Sequence, residues 1–221
     1  MESEPIAEPI NEPTKSKLYT RKGDFGMSRV IQGDIIKKTD MIFTALGSVD
    51  HLNSLIGLTR HKCTKAKNGL DSHLAEVQAI LLDIGATLSK TNKEDETCDR
   101  NKFPNFQLMI GQLEKQIDFY DSQTDPLKNF ILPYGCSASI ALHITRTACR
   151  QAEKTVWSLI EPLLRPWISG PYMPQYFLIR DCGTYLNRLS DFLFACARYA
   201  NKFAGIPDKI YYADRHKSLS V

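Results

Sequence analysis

The stretch SASIALHITRTACRQAEKTVWSLIEP, residues 137–162, decides the fold. Leu142, Thr145, Cys149, Ala152, Val156 and Leu159 recur at steps of three and four, the spacing that aligns side chains on one face of an α-helix and predicts a buried stripe. Ser137 stands where an N-cap would start this helix, and Pro162 and Pro166 stand where it must end. On the neighbouring face Arg146, Arg150 and Glu153 follow at four and then three residues. Two guanidinium groups beside a carboxylate suit either a polyphosphate clamp or a salt-bridge network between helices, and spacing leaves both open.

Working outward, the same periodicity predicts helices over residues 41–59, 70–89, 107–121 and 184–203. Leu74, Val77, Leu81, Ile84 and Leu88 form the stripe of the second, and Leu186, Leu189, Leu193, Ala197 and Ala200 that of the last, which Gly205 and Pro207 close. Pro133 and Gly135 make residues 130–135 a loop. Residues 19–34 are glycine-rich and aperiodic, an ordered loop with room for a short strand. The acidic, proline-bearing residues 1–17 read as a disordered tail, residues 90–104 as a polar, flexible insertion and residues 206–221 as a C-terminal tail. The expected architecture is one all-α domain over residues 18–205, a five-helix bundle with an N-terminal glycine-rich loop. No internal repeat or sustained heptad run interrupts it.

A net charge of +3 on 221 residues excludes a global polyanion binder, so an anion site must be local. No E-x-x-H pair is present to build a four-helix metal centre; His73 and Glu76 run in the opposite order. The six cysteines are scattered without C-x-x-C spacing, as ordinary thiols of a reducing compartment are. No apolar run approaches the ~20 residues of a membrane span, and the chain is expected to be soluble and intracellular, binding neither membrane nor nucleic acid.

Three further groups carry chemical potential. In Thr20-Arg21-Lys22-Gly23-Asp24-Phe25-Gly26-Met27-Ser28 two glycines three apart open backbone N–H groups to phosphate oxygens beside cations and hydroxyls, although the Walker spacing is absent. The same glycines would also serve a plain tight turn. Asn187, Asp191 and Arg198 share a face away from the leucine stripe, where they can serve a ligand or join helices. Asp50, in Gly47-Ser48-Val49-Asp50-His51-Leu52-Asn53-Ser54, is placed to meet an arginine.

In their order along the chain these segments resemble the trimeric, five-helix type of ATP:cob(I)alamin adenosyltransferase. The T-R-x-G-D-x-G-x-[ST] signature stands at residues 20–28, V-D-E-L-N-S-x-I-G at 49–57, V-Q-x-x-L-x-D-x-G-A at 77–86 and F-I-L-P-G-G at 130–135. R-T-x-C-R-R-A-E is matched closely at 146–153, and Y-L-N-R-L-S-D throughout at 185–191. The resemblance implies a homotrimer that uses ATP with Mg²⁺ and takes cob(I)alamin as substrate, with no resident metal ligands. It assigns Thr20, Arg21, Lys22, Gly23, Ser28 and Lys38 to the ATP polyphosphate, with Arg150, Glu153 and Asn187 completing the nucleotide site. It pairs Asp50 with Arg146 across the subunit boundary and sets Phe130 beneath the corrin ring, where it excludes the lower axial ligand of cobalt. It also implies delivery of the product to a cobalamin-dependent mutase, in the mitochondrial matrix of a eukaryote or the cytoplasm of a bacterium.

Four positions depart from the family pattern. His51 replaces a glutamate, Tyr134 the first glycine of L-P-G-G, Gln151 the second arginine of R-R and Lys154 the final arginine. A cation lost at Gln151 weakens phosphate binding, since charge-assisted hydrogen bonds are about twice as strong as neutral ones. These departures support an alternative reading, a weakly active or non-catalytic ATP and corrinoid carrier on the same fold.

Overall fold

A computed structural model describes residues 16, 18–31, 35–90, 100–160 and 174–212. The remaining positions, including most of the expected 1–17 tail, residues 91–99 of the insertion, Pro162, Pro166 and residues 213–221, lie outside the described residues. Among the described residues two short antiparallel strands, β1 (Met27–Arg29) and β2 (Ile35–Lys37), pair Ser28 with Ile36 and precede five helices. These are α1 (Met41–Ala66), α2 (Asp71–Lys90), α3 (Phe106–Ser122), α4 (Ser137–Ser158) and α5 (Pro174–Phe203). A 3-10 turn at Arg100–Lys102 leads into α3.

In space the helices run α2, α1, α4, α5, α3, with α2 also touching α5. The core is the merger of their apolar stripes, among them Leu52, Ile56, Leu81, Ile84, Leu142, Leu186 and Phe192. Burying such side chains stabilises by about 1.5–3 kcal/mol each and dominates the folding energetics. α1 and α4 are antiparallel. Thr59 and Thr145 share a buried 2.7 Å hydrogen bond, and Cys63, one turn further along α1, feels the charge of Cys136 at the opposite end of α4. Burial is the larger influence on Cys63 and pushes its thiol up to about 11. The thiols of Cys149, Cys182 and Cys196 are likewise raised by burial, so these groups are packing elements and not nucleophiles.

Two helices are longer than their patterns predict. α1 continues past residue 59 because Cys63 extends the buried stripe by one turn, while His61, Thr64 and Lys65 take its solvent face. It ends where Lys67 turns left-handed at φ 53°. α5 starts at Pro174 because Leu178, Ile179 and Cys182 are buried ahead of residue 184. Gly183 does not interrupt it: a Cβ there would lie 2.8 Å from Trp157 of α4, so the glycine lets the indole approach. At the start of α4 the cap is Cys136 and not Ser137; the Cys136 Sγ accepts a hydrogen bond from the Ser139 N–H at 3.4 Å. By length and composition α1 is also apolar enough to cross a membrane, which corrects the expectation that no such segment exists. Its apolar stripe packs against α2 and α4, and Asp50 stands on its outer side.

The loop before α4 is gripped by α5. Asn201 donates to the Tyr134 carbonyl at 2.8 Å and accepts from the Cys136 N–H at 3.0 Å. Gly135 lies between them at φ 131°, and a Cβ there would overlap the Asn201 amide. The departure at Tyr134 is therefore tolerable, since its side chain is exposed, whereas the second glycine is required. Gly135→Ala should destabilise the fold by at least about 2 kcal/mol through backbone strain and overpacking. A urea unfolding midpoint equal to that of the unaltered chain would remove Asn201 from this role.

Candidate functional site

The glycine-rich segment forms a compact turn leading into β1. The Asp24 N–H donates to the Arg21 carbonyl and the Gly26 N–H to the Gly23 carbonyl, both at 3.3 Å, and Gly26 adopts φ 73°. Arg21 is left-handed at φ 59°, with its guanidinium 5.7 Å from the Tyr19 ring centre. Past β2, the Lys38 N–H donates to the Gly26 carbonyl at 2.8 Å. Its ammonium lies only 2.9 Å from where a Gly23 Cβ would be. The absence of a side chain at Gly23 leaves room for Lys38, a contact that no local spacing announces. The turn gathers Thr20, Arg21, Lys22, Gly23, Ser28 and Lys38 into one basic unit, with Arg21, Lys22 and Lys38 exposed. Arg21, Lys22 and Lys38 are cations free to attract an anion, with the exposed Asp24 carboxylate in the same turn.

The second unit lies across α4 and α5. The Asn187 amide donates from Nδ2 to Glu153 Oε1 at 3.0 Å, joining the two helices. Arg188 fixes the other side of that amide, its Nη1 donating to Asn187 Oδ1 at 2.8 Å while its Nε donates to Glu114 of α3 at 2.8 Å. Sequence spacing singled out Glu153 and Asn187 but not Arg188 or Glu114; Arg188 falls inside the matched Y-L-N-R block, and nothing in the pattern marks Glu114. Arg150 is exposed one turn before Glu153 and makes no ion pair among the described residues. The clamp reading of this face therefore gains over the intramolecular salt-bridge reading.

Arg146 is half-buried, and its Nε is buried without a hydrogen-bond partner among the described residues. Burial, then the charge of Arg150, lowers its pKa. Its guanidinium lies 5.9 Å from the Phe194 ring centre, and the buried His143 packs on the same ring at 6.0 Å. Burial and then Arg146 lower the His143 pKa, so this imidazole is neutral at physiological pH.

Asp50 is exposed and does not meet Arg146 within the chain. With Thr59 against Thr145 and the helices antiparallel, nine residues of α1 against one of α4 leave the two side chains about 12 Å apart along the axis. Phe130 is 84% exposed on the loop before α4, its carbonyl accepting from the Tyr211 N–H at 2.8 Å. His51, Gln151 and Lys154 are all exposed. Asp191 is exposed as well, whereas Arg198 is buried and bonds to Asp208, Asp121 and the Asp125 carbonyl, a role in joining segments of the fold. No hydrogen bond or ion pair joins the basic turn to the α4–α5 cluster among the described residues. The chain brings each unit together but not the two units to each other.

Comparison with known proteins agrees with these motifs. A family model described as cobalamin adenosyltransferase matches residues 18–200. The corrinoid adenosyltransferase MMAB of Homo sapiens is 36% identical over 200 residues, covering 90% of this chain and 74% of that one. The corrinoid adenosyltransferase of Bacillus subtilis (strain 168) is 32% identical over 212 residues, covering 92% of this chain and all (100%) of that one. Among solved structures, a variant PduO-type ATP:corrinoid adenosyltransferase from Lactobacillus reuteri complexed with cobalamin and ATP superposes with a TM-score of 0.74 at 34% identity, covering 88% of this chain and 99% of that one. With a family model spanning nearly the whole bundle and relatives above 30% identity matched over most of both chains, the chain belongs to the cobalamin adenosyltransferase family.

Proposed function

We propose that this chain transfers the 5′-deoxyadenosyl group of ATP to the cobalt of cob(I)alamin, yielding adenosylcobalamin and triphosphate. The observation that carries this reading is the α4–α5 cluster, in which Arg150, without an ion pair among the described residues, stands one turn from a preset Glu153–Asn187 pair. Cobalt(I) supplies an electron pair to the ribose 5′-carbon, the cobalt–carbon bond forms, and the carbon–oxygen bond to triphosphate breaks. No general base is needed. The protein contributes orientation of the 5′-carbon and stabilisation of charge on the leaving group. Arg150 and the turn bearing Arg21, Lys22 and Lys38 hold the triphosphate, with Thr20, Gly23 and Ser28 lining it, and Glu153 and Asn187 orient the nucleoside.

Among the described residues no group of three or more His, Cys, Asp or Glu could hold a metal ion. The Thr20 and Ser28 hydroxyls are the hard oxygen donors of the turn that would face Mg²⁺ carried in with the nucleotide. When bound it neutralises charge on the departing triphosphate. Phe130, exposed and apolar, faces the corrin and keeps the lower cobalt position empty, which makes cobalt(II) easier to reduce. Incubation with ATP and cob(I)alamin should give adenosylcobalamin and triphosphate in equal amounts. Tight binding of both substrates without product would establish the carrier reading instead.

The site is shared between protomers of a homotrimer. The offset of about 12 Å between Asp50 and Arg146 inside one chain, and the Arg146 Nε left without a hydrogen-bond partner among the described residues, support pairing of Asp50 with Arg146 of a neighbour. Breaking one such interfacial charge pair costs about 2–5 kcal/mol. Asp50→Arg should accordingly dissociate the assembly in sedimentation velocity, and Asp50→Arg combined with Arg146→Asp should restore it. A trimer unaffected by the single substitution would exclude the bridge.

A further inference from the structure

Phe130, 84% exposed, stands on a ribbon made of two chain segments. Beyond α5 the chain turns back and pairs with the loop before α4: the Leu132 N–H donates to the Lys209 carbonyl and the Tyr211 N–H to the Phe130 carbonyl, each at 2.8 Å. Ile131 and Ile210 face each other as an antiparallel pair. Under this ribbon lies a hollow of about 490 Å³, lined by Asn129, Ile131, Ile210, Arg198 and Lys202 among others. Asn129 and Ile131 line the hollow, whereas the Phe130 ring is exposed. Beside this hollow, polar contacts tie the ribbon to the helices.

The anchor is Arg198. Only 4% of its side chain is exposed. Its Nε donates to Asp208 Oδ2 at 2.8 Å, its Nη1 to Asp121 Oδ1 at 3.3 Å and its Nη2 to the Asp125 carbonyl at 2.6 Å. One guanidinium, rigid and forked, thereby joins α5 to the end of α3, to the segment after it and to the chain segment beyond α5 that forms the ribbon. Lys202, one turn later, adds an exposed pair with Asp125 at 3.3 Å.

We infer that Arg198, acting through Asp208, is a positioning residue that sets the depth of the Phe130 ring under the corrin and so decides how completely the lower cobalt position is emptied. The inference rests on the role given to Phe130 above. It separates two properties of the site: nucleotide binding depends on α4, α5 and the basic turn, while the coordination state of cobalt depends on the Arg198 clasp.

Asp208→Asn tests it, because Asp208 touches neither proposed substrate and a charge-assisted bond is replaced by a neutral one. The expected result is an about tenfold loss of turnover from cob(II)alamin plus reductant, the size expected when one charge-assisted bond is weakened to a neutral one. The four-coordinate cob(II)alamin signal in electron paramagnetic resonance should fall with it. Turnover of pre-reduced cob(I)alamin and the KM for ATP should stay within about twofold. Equal losses in every assay, or an unchanged cobalt spectrum, would overturn the proposal. Tyr211→Pro, which removes the N–H held by the Phe130 carbonyl, should give the same signature. Combining Asp208→Asn with Phe130→Ala should cost nothing beyond Phe130→Ala alone; additive losses would show that Asp208 does not act through the ring. Hydrogen exchange at the Leu132 amide, faster in Asp208→Asn, reads the clasp without any turnover. A chain inert toward cob(I)alamin but with accelerated exchange would therefore refute the transfer reading and leave the clasp standing, and unchanged exchange would refute the clasp.

Discussion

Arg150→Ala is expected to abolish measurable turnover, a loss of at least about a hundredfold in kcat from removing one preorganised charge at the leaving group. The fold should be untouched. Arg150 is exposed and makes no ion pair among the described residues, so its removal leaves no buried partner stranded. Arg150→Lys should recover part of the rate, since the charge returns without the planar two-pronged geometry that grips two phosphate oxygens. The measurement is adenosylcobalamin formation at saturating ATP, with sedimentation confirming the assembly. Normal activity in Arg150→Ala would take this side chain out of the mechanism, and a collapsed assembly would mean that it serves the interface.

For Phe130→Ala the prediction is an asymmetry. Losing an 84% exposed ring sacrifices little buried area, so thermal stability should shift only slightly. Turnover from cob(II)alamin plus reductant should fall by about a hundredfold, on the order of 2.7 kcal/mol. With pre-reduced cob(I)alamin the loss should be far smaller. The reason is that the ring acts before alkylation, when an empty lower position makes the cobalt reducible, and contributes less once cobalt(I) is present. Losses of the same size in both assays would contradict that role and point to a general part in corrinoid binding.

The bundle was readable at the level of element type and order because apolar period is a local property. The stripes from Leu74 to Leu88 and from Leu142 to Val156 are buried as their spacing predicts. The ends of helices were less readable. Cys63 carries α1 another turn only because neighbouring helices bury it, and the start of α5 is held by the burial of Leu178, Ile179 and Cys182, beside Asp181, which accepts from Gln107 of α3 at 2.9 Å. The Cys136 cap was masked by the adjacent serine, a better cap by propensity. Here the sulfur wins because the backbone bends at Cys136, whose N–H Asn201 holds.

Residue types at fixed offsets along one chain determined the helical class, the basic glycine turn, and the neighbouring placement of Arg146, Arg150 and Glu153, because periodicity and backbone permissiveness follow from covalent spacing. Contacts between residues far apart in the chain were settled only by packing: Lys38 against Gly23, Glu153 with Asn187 and Arg188, Gly135 under Asn201, and Arg198 with Asp208 across the ribbon that bears Phe130. A side chain's partner depends on which helices become neighbours and in what register, and that is fixed by the burial of the whole core together.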